Sequence, residues 1–79
     1  MRPSPGDYVI RRVEACPPAW QFHLVLANGK QTPVDGAGSA NWYWVKREAA
    51  RLSREDGVCV YERIGRAYRL MEGQTALFA

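Results

Sequence analysis

Apolar and polar residues alternate along Trp20–Leu26, with Trp20, Phe22, Leu24 and Leu26 on one side and Gln21, His23 and Val25 on the other. A period of two predicts a half-buried strand of the antiparallel kind. Tyr8–Glu14 is β-branched and reads as an earlier strand, but Arg11 and Arg12 interrupt both of its faces. A bulge near them, or an edge position, would reconcile the pattern. Cys16-Pro17-Pro18 ends that strand, because proline cannot donate to a ladder. Asn28-Gly29 predicts a two-residue hairpin turn with positive φ at both positions. The return strand, Lys30–Val34, is short, polar and broken by Pro33, which places it at an edge.

The period changes once, at Asn41–Asp56. Here Val45, Ala49 and Leu52 fall on one arc flanked by Trp42 and Ser53, which predicts a single helix over about 41–56. Asp35–Ala40 is expected to be a loop, with Ser39 or Asn41 as the N-cap and Gly57 as the stop. Glu55 and Asp56 in the last turn oppose the helix dipole. Gly57–Arg63 and Arg66–Met71 then read as two strands joined at Ile64-Gly65. Tyr68 and Leu70 are assigned to the core, Ala67 and Arg69 to the open face. Leu77 and Phe78 lie in a short tail. The fold expected is α+β: one helix on one face of a four- to five-stranded antiparallel sheet, in the order ββ(β)αββ.

Composition narrows this picture. The 79 residues, 47% of them hydrophobic, with three Trp, four Tyr and two Phe, suffice for one domain spanning 1–79 with irregular ends at 1–7 and 73–79. A chain of this size buries only about 60% of its unfolded surface, so its stability margin is thin. The net charge of +3 is modest, but nine of the eleven cations are Arg, the residue whose planar fork suits phosphate and carboxylate. One His and two widely separated Cys do not supply zinc ligand spacing, so neither a metal nor another cofactor is expected. The cysteines are expected as free thiols of a cytoplasmic protein, and no apolar run approaches the ~20 residues of a membrane span.

No catalytic constellation stands out. His23 has no acid at a useful spacing, and no Ser or Cys sits in a nucleophile context. Asp35-Gly36-Ala37-Gly38-Ser39 precedes a helix but lacks the spacing of a phosphate-cradling loop. The chain is therefore expected not to be an enzyme. Two surfaces remain. Opposite the apolar stripe of the helix lie Tyr43, Trp44, Arg47, Arg51 and Arg54. A charged outer face is the default for a helix, but aromatics beside arginine also mark contact surfaces. The sheet face away from the helix should show Gln21, His23, Val25, Cys59, Tyr61, Arg63 and Arg69, where a ring and arginines could hold single-stranded nucleic acid.

The pieces WQFHLVL, KREAARLSREDG and VCVYERIGRAYRL resemble a class of small bacterial and phage strand–strand–helix–strand–strand domains of unknown function. That resemblance covers about two-thirds of the chain and is one of fold pattern; the Trp42-Tyr43-Trp44 triplet and the Cys-Pro-Pro turn depart from it. In type, the chain is also similar to phage inhibitors such as anti-CRISPR proteins, small α+β proteins that occupy a surface of a host complex. The expectation is a binding protein acting by surface occupancy on an acidic partner, foremost a nucleic-acid-handling protein complex. Direct nucleic-acid binding is the alternative, and a structural or homo-oligomerising domain the third.

Overall fold

The computed structural model describes residues 2–14 and 18–73, without the side chains of 35–37. Its elements run β1 (Tyr8–Val13), β2 (Ala19–Val25), β3 (Gln31–Ser39), α1 (Trp42–Asp56), β4 (Val60–Ile64) and β5 (Ala67–Glu72). They form one five-stranded sheet in the order β3-β2-β1-β4-β5, crossed by the single helix. The class and element order are those expected. The all-antiparallel sheet is not, because β1 and β4 pair in parallel at its centre. The reason is the helix: it carries the chain from β3 back along the sheet, so β4 starts at the same end as β1. The other three pairings are antiparallel.

β1 is thus the middle strand and not an edge, and its register with β2 runs unbroken from Tyr8↔Leu24 to Val13↔Ala19. Arg11 and Arg12 are accommodated because they lie where the strand runs out of the sheet and reach solvent. The irregularities fall elsewhere, between Gln21 and His23 against β3 and between Val60 and Tyr61 against β5.

Two turns differ from expectation. At Leu26–Lys30, Gly29 N donates to Leu26 O (2.9 Å) and Leu26 N to Lys30 O (2.7 Å), enclosing a three-residue loop. Only Gly29 there has positive φ; Asn28 instead accepts from Lys30 N through its side chain. This is a type I turn followed by a left-handed residue, the next commonest hairpin after the two-residue form. The stretch expected as a loop, 35–39, continues β3. Gly38 allows this, since a Cβ there would lie 2.6 Å from the Trp20 carbonyl oxygen. The Cys16-Pro17 turn and the Leu77-Phe78 tail lie outside the described residues.

Asn41 caps the helix, its Oδ1 accepting from Tyr43 N at 2.9 Å, while Ser39 Oγ accepts from Asn41 N. Gly57 closes it in a left-handed conformation, donating to Ser53 O. Val45, Ala49 and Ser53 are buried, and Val45 and Ala49 pack with Ile10, Phe22 and Val60 from three neighbouring strands. Full burial of each of the larger side chains contributes about 1.5–3 kcal/mol. Trp20 and Trp42 meet at 5.0 Å at the edge of this core. Asp56 accepts from the Tyr8 hydroxyl at 2.9 Å, so a carboxylate that opposes the dipole ties the helix to the central strand.

Candidate functional site

Whether Tyr43 and Trp44 are exposed decides the character of the helix. They are 60% and 53% exposed, because positions 43 and 44 turn away from the stripe set by Trp42, Val45 and Ala49. Their rings meet edge to face at 5.4 Å. The Arg47 guanidinium sits 5.8 Å from the Tyr43 centroid and 5.3 Å from that of Trp44. Such cation–π contacts at exposed sites are worth about 0.5–1 kcal/mol each. They hold two aromatic rings and one cation in a fixed arrangement before any partner arrives.

Tyr43, Arg47, Ala50, Arg51 and Arg54 follow i, i+4, i+7, i+8 and i+11 and so line one stripe. With Trp44 and Glu48 they border a shallow groove of about 380 Å³, in which Ala50 is the smallest lining residue. The structure therefore brings all five residues expected on this face together, but they are not equivalent. Arg51 is held by Glu48 and by Glu55, the latter at 2.9 Å. This hydrogen bonding raises the Arg51 pKa and lowers that of Glu48. Its charge is neutralised on the helix itself. Arg54 has no carboxylate partner among the described residues, and Arg47 faces only rings.

The opposite sheet face is not the open platform expected. Val9, Val25 and Tyr61 are buried there, Tyr61 to 8% exposure, and His23 to 9%. Gln31 Nε2 on one edge strand donates to the Tyr68 hydroxyl on the other at 3.0 Å. In a flat sheet those strands would stand about 19 Å apart. Twist brings diagonal corners together over this face, and Tyr68 packs edge to face on Tyr61 at 6.4 Å. Tyr61 therefore cannot stack a base. Burial, with the Arg11 charge acting in the same direction, lowers the His23 pKa, and its Nδ1 has no partner among the described residues.

Tyr68 and Leu70 share this face with Tyr61, opposite to their expected side, and Arg69 lies on the helix side paired with Glu62. The shift between Val60 and Tyr61 is what reverses the alternation. Arg63 does lie on the expected face, half-buried, its Nε donating to Gly65 O. Cys59 is a free thiol, and Cys16 lies outside the described residues. Among the described residues no group of three His, Cys, Asp or Glu could hold a metal ion. No helix among them is long and apolar enough to cross a membrane. Comparison of the chain with protein-family models, with curated proteins and with solved structures finds no match in any of the three.

Proposed function

We propose that this chain is a non-enzymatic binding protein that acts by occupying an acidic surface of a protein partner through the outer face of α1. The observation that carries this reading is the exposed Tyr43–Trp44 pair interlocked with Arg47. Preordered aromatic and arginine anchors lose little conformational entropy on docking, and such residues dominate interface energies. Arg47 and Arg54 supply the positive charge, Trp44 the apolar anchor, and the groove over Ala50 a recess for a partner side chain. Arg51 serves as a strut and not as a free cation. The specific form we favour is an inhibitor of phage type, of the anti-CRISPR kind, seated on a nucleic-acid-handling complex. It rests on the likeness of type in size and architecture.

The test is affinity capture and photo-crosslinking from host extract, with wild type compared with Trp44→Ala and Arg47→Glu/Arg54→Glu. All three side chains are exposed, so melting temperatures should agree within a few degrees. The expected result is loss of the captured partner in both variants. Capture that persists in both removes the helix face from the interface.

A further inference from the structure

The sheet end at which β1 and β4 run out concentrates the positive charge of the molecule. Arg11 and Arg12 end β1, Arg63 lies near the end of β4, Arg66 is in the following turn and Arg69 early in β5. Against these five arginines stand Glu14 and Glu62, an excess equal to the net +3 of the whole chain. Glu62 is taken up by Arg69, and Glu14 approaches Arg12 only to 3.9 Å with both side chains largely exposed. Such an exposed pair neutralises little.

Arg11 and Arg63 follow directly on the Ile10↔Glu62 level of the parallel ladder, so two like charges stand side by side on neighbouring strands. They border one cleft of about 290 Å³ with Arg12 and Gly65. A second, of about 340 Å³, lies against Arg12, Arg63, Trp20 and Ile64. Like charges at adjacent strand positions destabilise a sheet, an expense offset when an anion bridges them. The hydrogen bond from Arg63 Nε to Gly65 O fixes one guanidinium while leaving its amino groups to face outward.

We infer that this sheet end binds the phosphodiester backbone of a single-stranded nucleic acid, at a site separate from the helix face. The arginines do not converge on one point. They span both sides of the sheet, an arc suited to successive phosphates of a polymer and not to one enclosed anion. Half-buried Trp20 and exposed Ile64 give the second cleft an apolar wall for a base, as in sequence-tolerant single-strand sites. The site differs from the sheet-face platform closed off by Tyr68, and it does not depend on the protein-partner reading.

The experiment is fluorescence anisotropy with labelled 20-nucleotide oligo-dT, a matched duplex, and poly-glutamate as competitor. With three or four phosphates neutralised, affinity for the single strand should fall about 20- to 50-fold between 50 and 200 mM salt. Arg11→Ala/Arg63→Ala should weaken binding at least about 10-fold and reduce the salt dependence by about two phosphates. Should that pair disturb the sheet, the exposed pair Arg12→Ala/Arg66→Ala reads the same loss on an intact fold. Arg47→Glu/Arg54→Glu should leave oligonucleotide affinity within about 2-fold, which separates this site from the helix face. Four results would each overturn the inference: no binding at 50 mM salt, unchanged affinity in both sheet-end variants, tighter binding of duplex, or equal displacement by poly-glutamate at matched charge.

Discussion

Gly38→Ala tests the packing of the sheet edge that leads into the helix. The added Cβ would lie 2.6 Å from the Trp20 carbonyl oxygen and 3.3 Å from the Gln21 Cα, both backbone atoms of the paired strand. Neither can rotate aside as a side-chain tip could. The φ of +154° adds strain for any residue with a side chain, about 1–2 kcal/mol. Displacing a paired strand in a packed sheet adds about 1–3 kcal/mol. The native state of a chain this size is worth only about 4–12 kcal/mol. The internal reference is Gly65→Ala, where φ is +61° but nothing lies within 4 Å, so only the backbone cost of about 1–2 kcal/mol applies. Urea and thermal melts of the two variants should differ by at least about 1 kcal/mol, or about 4–8 °C, with Gly38→Ala the weaker. Hydrogen exchange in Gly38→Ala should rise first along β2 and β3. Equal melting temperatures, or the reverse order, would refute the close approach of Gly38 to β2.

Burial of His23 favours its neutral ring, so its folded pKa lies below the unfolded value of about 6.5. The associated stability is complete above that pH and is lost as pH falls towards the folded pKa, at no more than about 1.4 kcal/mol per pH unit. Urea melts between pH 7.5 and 5 should show this slope in wild type and not in His23→Leu; Glu48, its pKa lowered by Arg51, adds its own loss only below about pH 4.5. Tyr8→Phe deletes the hydrogen bond to Asp56 and should cost about 0.5–1.5 kcal/mol by chemical denaturation, with no effect on oligonucleotide affinity.

Element order and the helix were legible because their signals are local. The clean alternation of Trp20–Leu26, the cap at Asn41, the stripe of Val45 and Ala49 and the stop at Gly57 each need only neighbouring residues. Pro33 likewise marks an edge strand by its chemistry alone. What could not be read depends on partners distant in the chain. The parallel β1–β4 pairing follows from where the helix returns the chain. The reversal at Tyr68–Leu70 follows from a bulge opposite Val60, which leaves no sign in the alternation of β5 itself. His23 and Tyr61 looked exposed because a flat sheet was assumed, whereas the twist that joins Gln31 to Tyr68 encloses them. The helix stripe was legible as a set, yet the neutralisation of Arg51 was also available in the sequence, since Glu48 and Glu55 stand at i−3 and i+4. The sheet-end arginines were missed because Arg11 and Arg63 become neighbours only through the parallel ladder.

That ladder also sets the order in which the chain can assemble. The β2–β3 and β4–β5 hairpins close over a few residues, whereas Asp7 and Cys59, whose carboxylate–amide hydrogen bond sits at the start of the β1–β4 ladder, are 52 positions apart. Closing a loop of that length costs roughly 3.5 kcal/mol before any contact is made. The central seam is therefore the last part of the sheet to form, and it is the step that sets the folding rate. Until it closes, β1 has one edge unpaired, and the helix with its following hairpin is free to dock on the β1 of another copy.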